Sequence, residues 1–227
     1  MPPPTVTFTD VAGAADTTGA AVVVDVIRAF TTAAWAMHLG AEQITLVAGL
    51  DEALAIKAAE PGTLAFCDGR PKEGFDLFNS PVQLQRLDVA GRRIVHRTTN
   101  GTQGVVAARR ASPLLCASFV VAAATARRLR ESAVDHVTFV ITGTDEDLAC
   151  AEHIAALVRG EKPPSDALDR ARRSAAAADI DSAPSRGYTG VDPGDVDACL
   201  DLDRFDLVLE VHTIDDRLVL LPEAPIP

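Results

Sequence analysis

Residues 21–27 read Ala-Val-Val-Val-Asp-Val-Ile, an almost unbroken apolar run with a single carboxylate inside it. Such a Val-rich run suits a strand covered on both faces, because a half-exposed strand alternates apolar with polar side chains. The stretch 31–39, closed by Gly40, then reads as a helix, and the pattern recurs as strand 43–48, helix 51–60 stopped by Pro61, and strand 63–67. After the polar loop 68–80 come a short helix from Pro81, strand 93–98, helix 102–110, strand 114–117, helix 118–130, strand 136–142 and helix 146–159. This alternation predicts an α/β fold: a mainly parallel sheet with right-handed crossovers, covered by helices on both faces.

A boundary at 160–164 divides the chain into a main α/β lobe, 1–160, that carries most of the site, and a smaller C-terminal α/β lobe, 161–227, packed on it. A single domain is the alternative. In the second part the pattern predicts a helix over 166–178, a turn-rich segment 182–190, a short helix 195–200 and strands 207–211 and 217–220. With 227 residues, 48% of them hydrophobic, the chain buries a core without disulfides; only 4% are aromatic, which favours close helix-on-sheet packing.

The net charge of −11 opposes nucleic acid and anionic membranes as partners, so an anionic ligand must be held locally, by a cation, a buried Arg or helix N-termini. Cys67, Cys116, Cys150 and Cys199 form no Cys-x-x-Cys pair and read as reduced, buried thiols. The opening Met-Pro-Pro-Pro-Thr lacks the basic and apolar regions of a secretion signal, and the longest apolar stretch, 113–126, is too short to span a bilayer. A cytoplasmic location is expected, with homo-oligomerisation left open.

The unusual polar residues fall at the carboxyl ends of the predicted strands: Asp25, Asp68, the string Thr98-Thr99-Asn100-Gly101-Thr102, Ser118, and residues 142–147. Ligands of open parallel sheets bind at such an edge, although strand-to-helix loops need capping residues in any case. Asp25 within its apolar run is costly unless paired or metal-bound; the local partner is Arg28, and a buried Asp25–Arg28 ion pair is the purely structural alternative. The loop with Asp68, Asp76 and Asn79 offers oxygen ligands that suit magnesium better than zinc, while Ser80-Pro81 caps a helix. In 98–102, hydroxyls and backbone N–H groups suit phosphate or sulfonate oxygens, and Gly101 permits close backbone approach. Asp145, Glu146 and Asp147 open a helix, as caps, metal ligands or activators of water. Phosphate-loop, dinucleotide-fold and zinc-protease motifs are absent, as are the cysteine- and histidine-phosphatase signatures.

Three strings in order, Asp25-Val26-Ile27-Arg28-Ala29-Phe30-Thr31-Thr32, Gly74-Phe75-Asp76-Leu77-Phe78-Asn79-Ser80-Pro81 and Thr98-Thr99-Asn100-Gly101-Thr102, are similar to the 2-phosphosulfolactate phosphatase family. Ser118-Phe119, Glu146-Asp147 with Cys150, and 195–205 extend the resemblance over nearly the whole chain. It implies a magnesium-dependent phosphatase that converts 2-phospho-3-sulfolactate to 3-sulfolactate, on a route toward coenzyme M. Some of Asp25, Asp68, Asp76 and Asp147 are expected to bind the magnesium. Arg28, Asn79, Thr98, Thr99, Asn100, Gly101, Thr102 and Ser118 would bind substrate, and Asp25, Arg28, Asp76 and Glu146 would serve catalysis, with Glu146 or Asp76 orienting the attacking water. Against the family pattern, Asp68 stands for a Glu, Phe78 for a Gly and Val121 for an Asn, and the approach to Glu146 is shortened. Phe78 and Val121 are therefore expected to weaken recognition of the sulfonate end. A phosphatase of another small phospho-acid, or a non-catalytic anion binder, are the alternatives.

Overall fold

The computed structural model describes residues 3–222. Its first strand, β1 (Thr5–Asp10), alternates polar and apolar residues and was not among the predicted strands. β2 (Ala20–Val24) is buried along its whole length, as its composition requires, but stops before Asp25 rather than at Ile27. The reason is local. Asp25 accepts the backbone N–H of Ala29 through its side chain, at 2.9 Å, and that of Phe30 through its carbonyl, at 3.1 Å, so 25–28 turn directly into α1 (Ala29–His38).

The chain continues through β3 (Gln43–Val47), α2 (Leu50–Ala59), β4 (Leu64–Cys67), α3 (Pro81–Leu84), β5 (Arg93–Arg97), α4 (Gly101–Ala107), β6 (Leu114–Ala117), α5 (Ala122–Glu131), β7 (His136–Ile141) and α6 (Asp145–Arg159). The expected helix over 166–178 is two helices, α7 (Ala167–Arg172) and α8 (Ala175–Ser182), because buried Ser174 accepts the N–H of Ala177 and starts a new helix. Then follow α9 (Asp195–Cys199), β8 (Leu209–Ile214) and β9 (Arg217–Leu220).

The nine strands lie in the order β1-β7-β2-β6-β8-β9-β3-β5-β4, so the C-terminal hairpin β8–β9 occupies the middle of the ladder. β1, β7, β2 and β6 are mutually parallel, as are β3, β5 and β4. The three antiparallel pairings through β8 and β9 make these two groups run in opposite directions. One edge of a flat sheet therefore does not carry all the strand ends that matter, contrary to the sequence expectation.

The ladder folds over instead. Phe30 and Ala34 of α1 and Val105 of α4 share one core with Val23 and Cys116 of the first group and with Ile44 and Ile94 of the second. On the opposite face of β2, Val22 and Val24 pack with Leu129 of α5 and Ile154 of α6. Val47, Ala65 and Val95 meet Ala53 and Ile56 of α2 on the outside of the second group. The mainly parallel sheet with helices on both faces is thus borne out. Two helices sit inside the fold of the sheet, and their N-termini face the carboxyl ends of strands from both groups.

Candidate active site

Asp25 is buried, 7% exposed, where these N-termini meet. It accepts hydrogen bonds from the N–H of Ala29, the first residue of α1, and of Gly101, the first residue of α4. A Cβ on Gly101 would stand 2.7 Å from Asp25 Oδ2 and 3.0 Å from the Ala29 methyl, so the close approach that Gly101 permits is to Asp25 itself. Burial pushes the Asp25 carboxyl up to about 6; the N–H of Ala29 opposes the rise, and the charges of Asp68 and Glu146 add to it.

Arg28 does not pair with Asp25. Its Nη1 donates to Asp195 Oδ2 at 2.5 Å and to Gly190 O at 3.1 Å, and its Nη2 to Phe78 O at 3.2 Å. Asp195, 0% exposed, also accepts Ser80 Oγ at 2.7 Å and the N–H groups of Asp192 and Val82. The pair is buried, and the four donors around Asp195 offset the cost of placing it there.

Asp25, Arg28, Asp68, Asn79, Thr98 and Asn100 line one cavity of about 570 Å³, within the range of small-molecule sites. Gly69, Arg70, Asp179, Arg186 and Tyr188 form more of its wall. Asp68 accepts the N–H of Thr99 at 2.6 Å and Arg97 Nη1 at 3.2 Å, which ties the loop after β4 to the turn after β5. Thr98 and Thr102 lock that turn reciprocally: the N–H of each donates to the other's hydroxyl, at 2.8 and 3.0 Å. Thr98 and Asn100 therefore face the cavity, while Thr99 and Thr102 hold the turn in shape. Asn79, at φ +61°, meets His96 Nε2 through Oδ1 at 3.2 Å, and burial lowers His96 to about 4, so the ring is neutral at pH 7.

Other predicted site residues lie elsewhere. Asp76 is bound to Lys57 Nζ and the N–H of Ala65, both at 2.7 Å, beside β4, where Leu77 bridges Phe66; it is neither a cavity residue nor placed to orient water. Glu146 accepts Thr144 Oγ1 at 2.6 Å, and Asp147 accepts the N–H of Val26 at 2.7 Å and Thr142 Oγ1 at 3.2 Å. Both stand behind Asp25 and shape its loop and its charge rather than the cavity wall. Burial, then the Asp25 and Glu146 charges, push Asp147 well above the carboxylate range. Ser118 Oγ is buried, with no hydrogen-bond partner among the described residues, and it too lies off the cavity. Val121 is fully buried in the core and Phe78 does not line the cavity, so neither is placed to select the sulfonate.

Sequence reasoning missed Asp195, His96 and Tyr188. Asp195 opens the segment 195–205, whose resemblance to the family carries no residue role, and Tyr188 is the chain's single tyrosine. His96 sits between Val95 and Arg97 on β5, without any local signal.

Among the described residues, no three His, Cys, Asp or Glu side chains form a ready metal-ligand set. Magnesium commonly takes one or two carboxylates and completes its shell with water and substrate phosphate. Asp25 and Asp68 fit this demand: both line the cavity, and the Asp68 charge raises the Asp25 pKa. No helix among the described residues is long and apolar enough to cross a membrane.

Residues 7–213 match the family described as 2-phosphosulpholactate phosphatase. A Carboxydothermus hydrogenoformans protein is 35% identical over 217 residues, covering 88% of this chain and 90% of that one. A Bacillus subtilis (strain 168) protein is 32% identical over 164 residues, 69% of this chain and 72% of its own length. A Synechococcus sp. (strain RCC307) protein is 38% identical over 141 residues, 60% of this chain, a match that spans less than two thirds, 58%, of that relative. Each of the three is named "Probable 2-phosphosulfolactate phosphatase".

Proposed function

Because the chain belongs to the 2-phosphosulpholactate phosphatase family, we propose that its cavity hydrolyses 2-phospho-3-sulfolactate to 3-sulfolactate and inorganic phosphate, with magnesium as cofactor. The observation that carries this reading is Asp25: a buried carboxylate at the cavity wall, bracketed by two backbone N–H groups and set close to the charge of Asp68.

Phosphoryl transfer to water asks a protein mainly for positioning and charge neutralisation. Arg28 presents a fixed positive charge to the phosphoryl oxygens, because Asp195 and two backbone carbonyls hold its guanidinium in place. Asn79 offers its amide NH₂, with the amide oxygen already engaged by His96. The turn held by Thr98 and Thr102 brings Asn100 to the same wall. Asp25 accepts a hydrogen bond from the attacking water, a duty that Asp76 and Glu146 are not placed to perform. Magnesium, which Asp25 and Asp68 would hold, supplies the remaining neutralisation of phosphoryl charge.

The alternative of another phospho-acid loses its main support, since Phe78 and Val121 do not face the cavity. Asp25→Asn should remove at least a hundredfold of the phosphate release from 2-phosphosulfolactate while the far-ultraviolet circular dichroism stays that of the native protein. Undiminished turnover by the folded variant would remove Asp25 from the mechanism, and no phosphate release by the wild-type protein with magnesium would sink the phosphatase reading.

A further inference from the structure

Three guanidinium groups line the cavity, and they differ in what neutralises them. Arg28 is paired with Asp195, which is buried behind the wall, and Arg186 with Asp179, itself a cavity residue, at 2.7 Å. Arg70 forms no ion pair or hydrogen bond among the described residues. In a chain with a net charge of −11, an unmatched cation in the wall of the cavity is a feature that calls for an anion.

The backbone that carries Arg70 is held on its near side. Asp68 is fixed by the Thr99 N–H and by Arg97, and the carbonyl of Gly69 accepts the hydroxyl of Tyr188. Tyr188 comes from the segment after α8 and thus joins the loop after β4 to the C-terminal part of the chain; it also lies close to Arg28. The loop is set in position while the Arg70 side chain is left exposed at the cavity.

The geometry points to Arg70 as the specificity-determining residue that receives a second anionic group of the substrate, a carboxylate or sulfonate, while Arg28 and Asn79 hold the phosphoryl group. This rests on the proposed phosphatase reading and names the substrate class: small phospho-acids with a further anion, rather than phosphomonoesters in general. A guanidinium fork is suited to either group through paired N–H donors.

Calorimetric binding separates this inference from the reading on which it rests. Wild-type protein should bind inorganic phosphate and, independently of turnover, 3-sulfolactate. Arg70→Ala should weaken 3-sulfolactate by roughly tenfold or more and leave phosphate unchanged, as expected for loss of a charge-assisted contact to one end of the ligand. Lys72→Ala, which removes the same charge two residues along at a position off the cavity wall, should change neither. Equal weakening of both ligands by Arg70→Ala, no change in either, an equal effect of Lys72→Ala, or failure of the wild type to bind 3-sulfolactate would each overturn the inference. A wild type that binds with this discrimination yet hydrolyses no phosphomonoester leaves Arg70 in its role and defeats the phosphatase reading. Turnover without discrimination does the reverse. Comparing lactate with 3-sulfolactate identifies the contacted group: loss for both places the carboxylate at Arg70, and loss for 3-sulfolactate alone places the sulfonate there.

Discussion

Asp25 shows how one residue joins stability to chemistry with opposite signs. Its carboxyl ionises near 3.8 in the unfolded chain and near 6 in the fold. Between these values the folded state holds the extra proton, so this residue's contribution to stability falls as pH rises through the window. In chelator, Asp25→Asn should therefore leave stability almost unchanged at pH 4 and raise it at pH 7, by about 3 kcal/mol. Urea unfolding at the two pH values measures this, and a variant less stable than wild type at pH 7 would show that further contacts compensate the buried carboxylate. The cost was legible in the sequence, from an aspartate inside Val22-Val23-Val24-Asp25-Val26-Ile27. Its partners were not, because backbone N–H groups from α1 and α4 carry no residue signature, and Arg28 chose Asp195, 167 positions away, over its neighbour.

At the scale of elements, the alternation of apolar runs and capped helices gave most of the strands and helices, and their ends moved where a side chain intervened. Ser174 split one helix, and the side chain of Asp25 ended β2 early. The direction of the two strand groups was not legible, because it depends on where β8 and β9 insert, and pairing over such distances leaves no local pattern. α4 is the element that ties the halves together. Gly104 lies against Val23, where a Cβ would approach Cγ1 to 2.7 Å, and Gly101 lies against Asp25. Gly101→Ala should push the Asp25 carboxylate aside, costing about 1–3 kcal/mol of stability and lowering kcat more than it raises KM. Thermal unfolding together with steady-state kinetics checks both; an activity loss confined to KM would mean that Gly101 serves ligand entry rather than the position of Asp25.

The whole molecule sets a problem that its site must solve. A protein of net charge −11 repels the proposed ligand, which carries a phosphate, a carboxylate and a sulfonate, and two of the protein's carboxylates, Asp25 and Asp68, lie in the cavity itself. Arg28 is already balanced by Asp195, and Arg70, the cavity guanidinium without an ion pair among the described residues, offsets only one charge of that repulsion. The fold gathers the cavity from distant parts of the chain, with Asp25 after β2, Asp68 after β4, Thr98 after β5 and Tyr188 after α8, and the sequence motifs named the first three but not the last. On this account a divalent cation is needed both to admit the substrate and to neutralise the phosphoryl oxygens. The most direct measurement is phosphate release from 2-phosphosulfolactate by the full chain, in excess chelator and after magnesium is restored. The account predicts no release above background in chelator and recovery with magnesium; full activity in chelator would contradict it.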